Sequence, residues 1–131
     1  MVYSVVCWSC SGRKNYPPEL LMAANHGGPG VTYLCFYRDS TVVFMPGMFS
    51  NEIEGTYQLR DSVFIVKGIP LGGYIHSDRF LLTRKHPLNS NWSEKLIVQV
   101  DSTLKIADSI HVLPVDRDWR DSASYIRSAK Q

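Results

Sequence analysis

The sequence predicts an all-β domain. Its strands form an antiparallel meander that closes into a small barrel or a two-sheet sandwich, with a short N-terminal helix and a C-terminal helix or tail. Three observations predict it. Short β-type runs follow one another from Val31 onward, and the clearest alternates: Ile53, Tyr57 and Leu59 face one way, and Glu52, Glu54, Thr56, Gln58 and Arg60 the other. Asp-Ser pairs recur between runs, at Asp39-Ser40, Asp61-Ser62, Asp101-Ser102 and Asp108-Ser109, with Ser77-Asp78 in reverse order. Their side-chain oxygens bond nearby backbone N–H groups and so favour turns. Glycine interrupts the best run at Gly55 and separates others at Gly47, Gly68, Gly72 and Gly73, as expected of a sheet that bends.

Residues 1–16 read as a tail or an anchor remnant. Met1 to Cys10 is about half the length that crosses a bilayer. The run Ser9-Cys10-Ser11-Gly12 is similar to a bacterial lipoprotein junction, which makes Cys10 a lipid-anchor candidate if the chain starts upstream. That start implies the cell envelope or periplasm; without it the protein is expected in the cytoplasm. Cys7 and Cys10 form a Cys-x-x-Cys, but no helix signal follows to activate a thiolate. Combining them with His26 and Cys35 into a zinc site requires irregular spacing. Cys35 sits in an apolar run and reads as a small core residue.

Residues 17–115 form the expected barrel or sandwich domain. Pro17 and Pro18, then Glu19-Leu20-Leu21-Met22-Ala23-Ala24 and the stop at Gly27-Gly28, predict a short helix. His26 to Gly30 is a loop, because three glycines and a proline deny it regular structure. Hairpins follow: 31–38 with 41–46, 52–60 with 62–67, 73–77 with 79–84, and 95–100 with 103–106 and then 109–114. That is about nine short strands, a count suited to a small barrel. Several runs are apolar on both faces, so their outer face needs a cover. Residues 116–131 carry Trp119, Ala123, Ile126 and Ala129 at helical intervals and read as a C-terminal helix or tail.

Tyr37 to Phe44, followed by Glu54-Gly55-Thr56-Tyr57 through Ile65, resembles small lipocalin-like bacterial β-barrel proteins over about a third of the chain. The resemblance implies an up-and-down barrel, often secreted or membrane-anchored, that sometimes holds an apolar ligand. The N-terminal Gly-x-Trp of true lipocalins is missing, which bears on ligand carriage more than on fold.

Composition excludes several functions. The 131 residues are 44% hydrophobic and 20% charged, ordinary for one globular domain, and a net charge of +2 gives no nucleic-acid field. No phosphate-binding glycine loop and no Gly-x-Ser-x-Gly elbow is present, so His26-Gly27-Gly28 reads as a loop and not as an oxyanion hole. His76, His86 and His111 lack metal spacing, and no catalytic residue, metal ligand or cofactor is assigned. The leading expectation is a non-enzymatic binding domain for a small apolar ligand or a protein partner. Aromatic and methionine side chains at Met45, Met48, Phe49, Tyr57 and Tyr74 are the ligand-binding candidates. The alternatives are a protein–protein inhibitor or immunity-type module, and an enzyme whose site combines His76, His111, Glu52 and Glu54.

Overall fold

Short apolar runs satisfy their backbone groups only by pairing with neighbours, and Asp-Ser corners fold three of them back on the run before. A computed structural model describes residues 19–26, 31–47 and 51–121. Its eight strands are β1 (Glu19–Asn25), β2 (Thr32–Tyr37), β3 (Thr41–Met45), β4 (Ile53–Arg60), β5 (Val63–Lys67), β6 (Arg79–Thr83), β7 (Leu96–Val100) and β8 (Ile106–Asp118). Each pairs antiparallel with the next, and β1 pairs with β8 to close the barrel. Closure leaves no free sheet edge. The β1–β2, β3–β4, β5–β6 and β7–β8 connections therefore share one end, called here the upper end, and the other three share the lower end.

Side chains fill the barrel axis. Leu21, Leu34, Phe36, Val42, Phe64, Phe80, Ile97 and Leu113 are all buried in one cluster. Phe36 stacks on Phe64 with centroids 3.9 Å apart, and Tyr57 meets both rings edge-on. Two smaller clusters lie apart from it, one at Cys35, Tyr37 and Val43, the other at Leu96, Val98 and Val100 against Leu81, Trp92 and Val112. They account for the strands that are apolar on both faces. Cys35 is a small buried core residue, as expected, and its Sγ donates to Glu19 Oε2 at 3.2 Å.

Three of the Asp-Ser corners are hairpin turns. Ser40 and Asp61 take left-handed backbone angles at the lower end, while at the upper end Asp101 Oδ1 accepts from the Thr103 and Lys105 amides. Other details differ from expectation. Residues from Glu19 onward form β1, not a helix; Leu20, Leu21, Ala23 and Ala24 are buried, and β1 is the strand that bridges β2 to β8. So short a helix is marginal alone, and closure of the sheet outweighs its propensity. Residues 73–77 belong to the β5–β6 connection and form no strand, and Ile75 makes only an isolated bridge to Gly72. Asp108-Ser109 lies inside β8, so the last two expected strands are one. β8 also runs past the expected boundary to Asp118 and ends in a 3-10 turn, Trp119–Asp121. No α-helix occurs among the described residues.

Candidate metal centre

β7 reads Leu-Ile-Val-Gln-Val, and all five side chains are buried, including Gln99. A buried amide demands partners, and Gln99 finds them in the β5–β6 connection. Its Oε1 accepts from the His76 amide at 2.6 Å and the Ser77 amide at 3.1 Å, and its Nε2 donates to the Tyr74 carbonyl at 2.9 Å. The Ser77 hydroxyl donates to the Val100 carbonyl and accepts from the Arg79 amide. One strand residue thus fixes the loop that carries His76 against the upper rim.

Across the ladder, Gln99 is paired with Asp108. Between that pair and Ile97–Leu113, β7 advances two residues while β8 advances five, so β8 extrudes a wide bulge. Asp108 closes the bulge: its Oδ1 accepts from the amides of Ile110 at 2.8 Å and His111 at 2.9 Å. Its Oδ2 faces outward to two imidazoles, with His76 Nδ1 at 2.6 Å and His111 Nδ1 at 2.7 Å. Burial acts to raise the Asp108 carboxyl, but the amide and ring of His111 and the amide of Ile110 outweigh it and hold the pKa at about 2. Asp108 is therefore an anion whenever the protein is near neutral pH.

Tyr74 backs the site. Its ring lies 4.3 Å from that of His111 and 6.0 Å from that of Phe44. Burial pushes its hydroxyl above the usual tyrosine value, and the Asp108 charge adds to that. Ser77, Gln99 and Asp108 are the buried polar or charged residues among the described ones, and all three belong to this one network.

One donor atom from each of His76, Asp108 and His111 lies within 4.8 Å of the other two. Two imidazoles and a carboxylate suit zinc and its neighbours in the transition series, whereas magnesium and calcium prefer oxygen alone. The N–O separations of 2.6 and 2.7 Å are those of hydrogen bonds. Tetrahedral ligands at about 2.0–2.1 Å from a metal stand roughly 3.3 Å apart, so the two N–O separations need to open by little more than half an ångström. Room for that exists, because the His76 side chain is 45% exposed and that of His111 34%. The amides on Asp108 and the ring of Tyr74 supply the outer support that orients metal ligands.

His76 and His111 stand together as the sequence suggests, with Tyr74 beside His111, but the carboxylate between the histidines is Asp108 and not Glu52 or Glu54. Glu52 accepts from the Tyr33 hydroxyl, and Glu54 is exposed on β4. Asp108 is hidden in the sequence because Asp-Ser reads as a turn; the available signal is Gln99, one amide in an otherwise apolar strand. Of the other expected site residues, Tyr57 is buried with its hydroxyl donating to the Tyr37 carbonyl at 2.6 Å, and Met45 ends β3 half-buried. Met48, Phe49 and Cys10 lie outside the described residues. His26 pairs with Asp116 at 2.6 Å, and His86 packs on Trp92, each apart from the cluster. Compared with protein-family models, with curated proteins and with solved structures, the chain has no match.

Proposed function

We propose that this chain is a non-enzymatic binding domain whose ligand is one divalent transition-metal ion, held at the upper rim by His76, Asp108 and His111. The observation that carries the reading is the convergence of three donor atoms within 4.8 Å on a rim braced by buried Gln99. Kinship in shape with lipocalin-like bacterial barrels is part of the same proposal, supported by the eight-stranded antiparallel closure. With the axis filled by Phe36, Phe64 and Phe80, the ligand is taken at the rim and not in a lumen.

Calorimetric titration of chelator-stripped protein with Zn²⁺ tests this, with Mg²⁺ as the comparison. The expected result is one Zn²⁺ bound, no Mg²⁺ heat, and a gain near 2.7 kcal/mol in unfolding free energy at a hundredfold excess over Kd. His76→Ala and His111→Ala each lose the site, while His26→Ala and His86→Ala keep it. Equal Zn²⁺ binding by the double variant H76A/H111A overturns the reading.

A second reading keeps a protein partner or an apolar ligand at the same end. Leu71, Leu104, Ile106 and Ile110 are exposed there, on the β5–β6 connection and the β7–β8 hairpin with its bulge. Native mass spectrometry of protein from its source would reveal a stoichiometric adduct that L104D/I110D loses; a bare mass counts against it.

A further inference from the structure

The Arg-Asp-Ser corners at 38–40 and 60–62 are unused by the upper rim, yet both lie at the lower end. There Leu20, Arg38, Ser40, Tyr57, Gln58, Leu59 and Arg60 line an open cleft of about 450 Å³. That volume falls within the range of small-molecule sites. The walls are held in place by the fold. Ser40 accepts from the Tyr57 amide at 2.9 Å, the Tyr57 hydroxyl donates to the Tyr37 carbonyl, and Asp39 Oδ1 accepts from the Thr41 amide at 3.0 Å. The two Tyr57 bonds pin the β2–β3 corner to β4, and the Asp39 bond closes the corner on itself.

The described lining carries two guanidinium groups and no carboxylate. The Asp39 carboxylate is turned to its own corner by the Thr41 amide. A concave site lined by one sign of charge attracts the other, and arginine matches the planar oxygens of carboxylate and phosphate. Ser40 and Gln58 add a hydroxyl and an amide, while Leu20, Tyr57 and Leu59 add an apolar wall.

We infer that this lower cleft binds a small organic anion, its carboxylate or phosphate head held by Arg38 and Arg60 and its apolar body resting on Leu20, Tyr57 and Leu59. The site is separate from the metal centre, so each stands or falls without the other.

Titration of the full chain with hexanoate and with hexyl phosphate, followed by heat or by side-chain NMR shifts, tests it; hexanol serves as the neutral comparison. The expected result is saturable binding of at least one anion, the tighter of the two identifying the head group, and no binding of hexanol. Arg60 is exposed, so Arg60→Ala leaves the fold intact and weakens binding at least about tenfold, the loss typical of one charge-assisted hydrogen bond. Arg60→Lys recovers part of it. Arg84→Ala removes the same charge from the β6–β7 connection and leaves affinity unchanged. Absence of saturable binding by both anions, equal binding of hexanol, or equal weakening by R60A and R84A overturns the inference.

Discussion

At the scale of single residues, Gln99 and Asp118 show how one polar side chain can organise an end of the barrel. Gln99 is 2% exposed and serves two amides and a carbonyl of the β5–β6 connection. Gln99→Leu keeps the volume but leaves those groups buried without partners. It is expected to cost about 2–4 kcal/mol in urea unfolding, and to weaken Zn²⁺ binding because His76 loses its anchor. At the lower end Asp118 accepts from Lys95 at 2.8 Å and from the Arg120 guanidinium at 2.9 Å. Burial opposes ionisation there, but these cations win and hold the Asp118 carboxyl well below its ordinary value of 3.8. A depressed carboxylate stabilises the folded state fully above the unfolded value and loses that contribution as pH falls below it. Asp118→Asn therefore lowers Tm near neutral pH and flattens the acid limb of the Tm–pH curve; an unchanged acid limb would show that the pair contributes nothing.

At the scale of elements, two irregularities shape the molecule. The bulge in β8 is what turns His111 back over Asp108, three residues away in sequence. A regular strand alternates faces and would send those two side chains to opposite sides of the sheet. The other irregularity is Gly55 in β4. The sequence marks it as a bulge or bend, but it keeps its ladder partner Val42. Its role is close approach: a Cβ there would stand 2.3 Å from the Lys67 carbonyl oxygen. Gly55→Ala must push β5 away from β4 and is expected to destabilise by about 2–3 kcal/mol or more, read from the shift in denaturant midpoint.

At the scale of the whole molecule, the barrel is held by a filled axis and by closure of β1 on β8. Phe64→Ala removes the ring that stacks on Phe36 and meets Tyr57. The expected loss is about 3–5 kcal/mol, with a new apolar cavity that takes up xenon or benzene, which the native barrel refuses. Equal uptake inside the native barrel would contradict the packed axis.

Much of this architecture is legible in the chain. Period-two alternation in residues 52–60 and the Asp-Ser corners at 39, 61 and 101 depend only on local chemistry, so they hold wherever the chain goes. β1 was illegible because residues 19–25 are good helix formers locally and become a strand only when two distant strands need a bridge between them. Asp108 was illegible for a similar reason: the same two residues make a turn or a bulge according to what pairs with them.

By itself, then, the sequence determined the all-β class, the antiparallel order and three of the corners, because hydrophobic period and turn chemistry act between near neighbours. Only the tertiary structure decided that the sheet closes, that its axis is full, and that His76 and His111 share Asp108. Those facts depend on groups tens of residues apart, and local spacing carries no record of which of them will meet.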